Sequence, residues 1–277
     1  MKKELTRRQR AVRRRNLFLA GVIAVAVLLI FGIVLIIGAL KGTKDGSDTP
    51  NKKPSTSIAE KSAEPKKENQ PEMVQRGNFS LNADYTELLL VNGDNPLPED
   101  YNIESDLVEI DPKYRNNNNV YMIRKDIYPY LQAMVEAAQG EGVDLKVWSP
   151  YRSRAIQQTL FQNQVNRQIA NGVPQSQAEE KAATIVARPG TSEHETGLAA
   201  DFNMADDAFE QTPMFTWMQE HAADYGFIMR YSREKQPITG VIHESWHYRF
   251  VGIKTAQKIK ESGLCLEEYV ERLNKKK

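Results

Sequence analysis

The sequence predicts an α+β fold: a small, mainly antiparallel sheet covered by helices, preceded by one membrane-crossing helix and a flexible stalk. Three observations point there. Leu17–Leu40 is an apolar run of 24 residues without one charge. Residues 41–76 then hold few large apolar side chains. Beyond them, short strand-like runs interleave with helical periodicities in an irregular order, a pattern that suggests α+β layering.

The N-terminal region sets topology. Residues 1–16 carry eight Lys/Arg against the single acid Glu4, which leaves 29 bases and 35 acids, a net −6, for the rest of the chain. The overall charge of +1 therefore hides a basic head on an acidic body. Leu17–Leu40 is long enough to cross a hydrocarbon core, which needs roughly 20 helical residues. Basic residues ahead of such a span keep the N-terminus cytoplasmic and send the remainder outside. A cleaved signal is the rival reading, but its apolar region is usually about 7–15 residues long. Residues 1–16 thus read as a cytoplasmic head rather than a nucleic-acid arm, 17–40 as an uncleaved anchor and 41–76 as a stalk too polar to offset its ordering entropy. Residues 77–277 form the extracytoplasmic domain. Its single cysteine, Cys265, lies between two leucines and reads as a buried structural thiol, so stability must come from a core, with a metal as the available aid.

Within that domain, Glu87–Asn92 reads as a strand closed by the turn Asn92–Pro96. Asp106–Ile110 reads as a second extended piece, and Asn116–Asn119 as a loop. Ile127, Tyr130, Leu131, Met134 and Ala138 recur at helical spacing and predict a helix over Arg124–Gln139, ended by Gly140 and Gly142. Val143–Trp148 alternates as a half-buried strand does. A long helix reaches about Ala170 with Ile156, Leu160, Phe161 and Val165 on one face, and a second covers Ser176–Val186. Gly197–Asn203 reads as a central strand, Pro213–Tyr225 as a helix, and Gly226–Tyr231 and Trp246–Val251 as strands. Two short helices, Lys254–Glu261 and Leu266–Leu273, close the chain.

Two segments carry the chemistry: Thr191–Phe202, with His194 and Asp201, and His243–Phe250, with Glu244 and His247. Two His and one carboxylate with an open fourth position is the coordination of a hydrolytic Zn²⁺ site, with Glu244 able to work on the water. His194 and Asp201 are seven residues apart; a straight strand would separate them by about 23 Å, so the chain must bend, and Gly197 is placed for it. Taken singly, each histidine is better read as a cap or core residue than as a ligand. His243 is a ligand only in an alternative register, because neighbours in a strand point to opposite faces. Glu193 and Glu195 read as solvated rather than as partners of His194, and Arg230 reads equally as packing or as substrate contact.

Paired, the segments resemble the signature of the D-alanyl-D-alanine carboxypeptidases of the VanY type, and more broadly the zinc peptidases that include VanX-type dipeptidases. That signature, S-x-H-x-x-G-x-A-x-D followed by E-x-W-H, is matched by Ser192, His194, Gly197, Ala199 and Asp201, then Glu244, Trp246 and His247. Ser149–Ser153 with Gln157 is similar to the family's S-G-Y-R-S-x-x-x-Q segment, and Leu88–Asn92 with Pro96–Tyr101 to its N-terminal region. The resemblance spans Glu87 to Gly252. It implies one zinc on the sheet held by His194, Asp201 and His247, Glu244 as general base and Arg152 as oxyanion stabiliser. Ser192, Tyr151 and Gln157 would hold the terminal D-residue of peptidoglycan stem peptides. Ser245 stands where the family often has Pro, and Pro150 where it often has Gly, which stiffens the loop carrying Arg152. D,D-, L,D- and endopeptidase preferences stay open at this level. A non-catalytic zinc domain would need neither Glu244 nor Arg152.

Overall fold

The computed structural model describes residues 71–275; the basic head, the apolar segment 17–40 and the stalk up to residue 70 lie outside them. Among the described residues no helix is long and apolar enough to cross a membrane.

The domain opens with a hairpin of β1 (Met73–Arg76) and β2 (Phe79–Asn82). Gly77, with φ 57°, makes its turn. Order thus begins ahead of the expected Gly77, because Leu81 is buried and the Tyr130 hydroxyl donates to the Asn82 carbonyl. Next come β3 (Leu107–Glu109), paired with β4 (Met122–Arg124), then α1 (Tyr128–Gly140) and β5 (Val147–Ser149). α2 (Arg154–Ala170) and α3 (Gln175–Ala183) follow, then β6 (Ala199–Phe202) and α4 (Pro213–His221). β7 (Phe227–Tyr231), the short α5 (Gln236–Thr239), β8 (Glu244–Phe250), α6 (Ile253–Ser262) and α7 (Leu266–Asn274) complete the chain.

The central sheet has the order β5-β6-β8-β7, antiparallel throughout. Side chains alternate across it as the pleat requires. Leu198, Ala200, Phe202, Tyr248 and Phe250 enter the main core with Leu131 and Met134 of α1. Asp201, His247 and Arg249 therefore project from the other face. A second cluster packs α6 and α7 against Ile228 and Val251, and a third joins Phe161 and Val165 of α2 to Ala178 and Ala182 of α3. Cys265 is buried just ahead of α7, and burial pushes its thiol up to about 11, the inert state expected of it.

Several expected elements differ. Glu87–Asn92 forms no strand, apart from an isolated bridge at Asn92. Leu88 and Leu90 instead pack onto the α6–α7 cluster, and Arg249 takes the Leu89 carbonyl, so the segment is held without a ladder. Arg124 belongs to β4, where it pairs with Glu87 and Asp126, and the helix starts only at Tyr128. The strand expected from Val143 is confined to Val147–Ser149. α2 is turned relative to its predicted face: Gln157, Phe161, Gln164 and Val165 are buried, whereas Ile156 is 53% and Leu160 38% exposed. Polar glutamines on the inner face mark a helix that borders a site rather than a dry core.

Candidate active site

The ligand segments meet on one face of the central sheet. After Ser192 a single 3₁₀ turn, Glu193–Thr196, ends at Gly197 in the left-handed region (φ 66°), and β6 begins two residues later. This is the bend that the spacing of His194 and Asp201 demands. β6 lies beside β8 with Asp201 directly opposite His247. The ladder between β7 and β8 shifts register, pairing Met229 with Tyr248 but Tyr231 with Glu244. The resulting bulge on β8 lets Glu244, Trp246 and His247 all line one cleft of about 530 Å³, where strict alternation would have sent Glu244 to the opposite face.

The candidate ligand atoms of His194, Asp201 and His247 lie within 4.8 Å of one another, and all three residues are buried. Asp201 Oδ1 is 3.4 Å from His194 Nε2 and 3.0 Å from His247 Nδ1. Ligands about 2.0–2.1 Å from a tetrahedral zinc stand about 3.3 Å apart, so both separations from Asp201 match those of ligands sharing one such ion. Their outward nitrogens are already engaged: His194 Nδ1 donates to the Pro150 carbonyl at 2.7 Å, and His247 Nε2 is 3.3 Å from Glu193. A proton on each outward nitrogen leaves the inward one free to bind metal.

Burial, followed by the Arg152 charge, drives the His194 pKa down to about 4. Burial also disfavours the charged form of His247, but hydrogen bonds to Asp201 and Glu193 outweigh it and hold the group at about 9. Asp201 stays well below the ordinary carboxylate range despite burial, because His194 and His247 flank it. Glu244 moves the other way, raised to about 7 by burial and then by the Asp201 charge. It sits 3.8 Å from His247 Nδ1, on the metal side of the ring. A carboxylate near neutrality is suited to taking and returning a proton.

Arg152 faces the same space. Its Nη2 is 3.5 Å from Asp201, its Nη1 donates to Gln157 at 3.0 Å, and its main-chain N–H donates to the His194 carbonyl at 3.1 Å. Its buried Nε has no partner among the described residues. Gln157 is fully buried, with its amide N–H donating to the Ala187 carbonyl at 2.7 Å, so it works first by fixing Arg152. Ser192 lines the cleft. Tyr151 does not: it is half-buried outside the lining, with Glu104 and Glu195 close enough to raise its hydroxyl further after burial has done so.

Two expectations are overturned. Glu193 and Glu195 are buried, not solvated. Glu193 meets Arg230, Arg249 and His247, while Glu195 pairs with Arg154 and accepts from the Gly190 N–H at 2.7 Å. Arg230 is likewise committed inside the fold, between Glu193 and Glu267. His243 stands apart from the ligands, held by the Tyr231 carbonyl and Glu210. Tyr231, missed by motif reading, packs its ring 5.0 Å from that of His247 and lines the cleft.

Comparison with known proteins agrees with this geometry. A family model described as D-alanyl-D-alanine carboxypeptidase, VanY, matches residues 120–253. A D-alanyl-D-alanine carboxypeptidase of Enterococcus faecalis is 42% identical over 183 residues, spanning 66% of this chain and 65% of that protein. A crystal structure of a vancomycin-resistance D,D-pentapeptidase VanY mutant in complex with Zn(II) is 43% identical, covers 66% of this chain and 98% of that one, and superposes with a TM-score of 0.58. The LdcB LD-carboxypeptidase is 36% identical over 73% of this chain and 94% of that one, with a TM-score of 0.59. Because the matched region contains every residue of the cleft described above, the chain belongs to the VanY family of D-alanyl-D-alanine carboxypeptidases.

Proposed function

We propose that this protein is a zinc-dependent D,D-carboxypeptidase that removes the terminal D-Ala from peptidoglycan stem peptides. The observation that carries this reading is the placement of Glu244 and Arg152 on either side of the His194–Asp201–His247 cluster in one cleft. When bound there, Zn²⁺ supplies Lewis acidity, lowering the pKa of a coordinated water toward 7 and polarising a carbonyl. Glu244, 3.8 Å from the ligand nitrogen of His247, takes the proton of the attacking water and delivers it to the leaving amine. Arg152, positioned by Gln157, points its guanidinium at the charge developing on the carbonyl oxygen. Ser192, at the buried end of the cleft, contacts the terminal D-residue.

The similarity to the LdcB LD-carboxypeptidase supports a second reading, cleavage after the D-Ala has already gone. Full-length protein in detergent, given a diacyl-Lys-D-Ala-D-Ala peptide and its diacyl-Lys-D-Ala counterpart, separates the two. Chelator-sensitive release of D-Ala from the first alone supports the D,D-assignment; release from the second alone replaces it.

The location we infer is the outer face of a bacterial membrane, with residues 17–40 as anchor, residues 41–70 as stalk and the basic head in the cytoplasm. Protease added to intact protoplasts should remove the catalytic domain and spare the head. Protection of the whole chain would contradict that topology.

A further inference from the structure

The sheet face that carries Asp201 and His247 continues into a cluster of charge that the reaction does not use. Glu193 is 1% exposed, Arg230 2% and Arg249 0%, so none can exchange its partner for water. Glu193 Oε1 accepts from Arg230 Nε at 2.7 Å and from Arg249 Nη1 at 3.0 Å, while Oε2 faces His247 Nε2 at 3.3 Å. Arg230 turns its two remaining nitrogens to Glu267 at the start of α7, at 2.8 and 2.5 Å, and Asn92 donates to the same carboxylate at 3.0 Å. Arg249 is tied at its other end to the Leu89 carbonyl, 2.6 Å away. Two carboxylates and two guanidiniums balance. The Glu193 carboxylate is thereby kept ionised and fixed in place, with one oxygen left for the imidazole.

We propose that Glu193 is a positioning residue for the metal ligand His247, and that the Arg230–Glu267 pair extends this support to the C-terminal helix. The proposal rests on the zinc reading above. His247 presents Nδ1 to Asp201 and must leave that nitrogen unprotonated to bind a cation, so its remaining proton sits on Nε2, opposite Glu193. An acceptor there fixes the tautomer and the ring plane and raises the basicity of the ligand nitrogen. Loss of such outer partners typically lowers metal affinity about 10–100-fold. Glu193 holds the outward nitrogen of His247 and not the one that faces Asp201, so it acts on the metal through that ring. Anchoring by Glu267 makes α7, remote in sequence from the motif, part of the same support.

The test measures Zn²⁺ dissociation constants by chelator competition for the full-length protein, Glu193→Gln and Glu267→Gln, together with ¹⁵N resonances of the zinc-loaded His247 ring. The expected result is zinc affinity about 10-fold or more weaker in E193Q, a smaller loss in E267Q, and a wild-type Nε2 proton protected from exchange that loses protection in E193Q. A folded E193Q with wild-type affinity and an unchanged Nε2 proton would overturn the proposal. Should E193Q fail to fold, the wild-type spectrum decides: an unprotected, freely exchanging Nε2 proton overturns it and a protected one supports it. Wild-type protein that takes up no zinc would instead sink the metal reading itself, an outcome visible before any variant is compared.

Discussion

Asp201 and His247 stand directly opposite each other on β6 and β8, with Oδ1 3.0 Å from Nδ1. Two ligands are thus set by the register of one antiparallel pair, and the third, His194, is brought in by the turn at Gly197. A slip of one residue would carry either strand ligand into the core. The sheet itself holds two of the metal ligands, while Glu244 comes from the first residue of β8 and Arg152 from the loop between β5 and α2.

Glu244 is the residue through which the proton must pass. Glu244→Gln keeps the shape of the side chain and removes its basicity. Turnover should fall by about 10²–10⁴-fold, the usual worth of general acid–base catalysis, while one zinc per chain is retained. D-Ala release and metal content measured on the same sample check both parts; near-normal release would exclude Glu244 as the base.

Arg152 bridges Gln157 and Asp201 with different nitrogens of one planar fork. Lysine keeps the charge but cannot reproduce the fork. Arg152→Lys should lower kcat by about 10²–10³-fold, as the loss of an oxyanion donor does elsewhere, with the thermal midpoint little changed. An unaltered kcat with a raised KM would make Arg152 a ground-state binder only.

Gly197 is required on two counts. Its φ of +66° is costly for any side chain, and an added Cβ would lie 2.9 Å from Arg124 Cγ and 3.0 Å from Ile103 Cδ1. Gly197→Ala should cost about 1–3 kcal/mol in denaturant unfolding and weaken zinc binding, since the turn sets the distance from His194 to Asp201. Lost stability with intact zinc affinity would show that the strands alone fix the site.

With zinc removed, stability should depend on pH through the same residues. Glu244 is raised from 4.5 to about 7 in the fold. The fold therefore holds that proton more tightly than the unfolded chain. Its contribution is complete below about pH 4.5 and is lost as pH rises to 7, by up to about 3 kcal/mol. His247, raised to about 9, adds a loss between about pH 6.5 and 9. His194, lowered to about 4, adds one in the other direction, as pH falls from 6.5 to 4. Urea titrations of the metal-free protein and its E244Q variant isolate the first term: the variant should gain on the parent between pH 5 and 7.5. Parallel curves would contradict the raised Glu244.

Much of the site was legible because its ligands fall in two short segments whose residue types and spacing are unusual together. The antiparallel central sheet and the helices α2, α6 and α7 followed from periodicity and from Gly and Pro punctuation. What sequence could not show was set by distant partners. Glu193 looked solvated because its guanidinium partners lie 37 and 56 residues downstream. Leu88 and Leu90 looked like strand residues because nothing local reveals the C-terminal helices they cover. The predicted face of α2 counted Ile156 and Leu160 as core, whereas the helix turns glutamines inward to serve Arg152 and the cleft. The bulge that brings Glu244 onto the side of His247 leaves no mark in composition.

The two ligand histidines differ in what holds them from behind. His194 leans on the main-chain carbonyl of Pro150, whereas His247 leans on the side chain of Glu193. A carbonyl is present whatever residue occupies a position, so no single substitution can delete the support of His194. That of His247 can be erased or graded by one codon change at position 193. Inherited variation that acts through these outer hydrogen bonds should therefore reach the metal by way of His247 rather than His194.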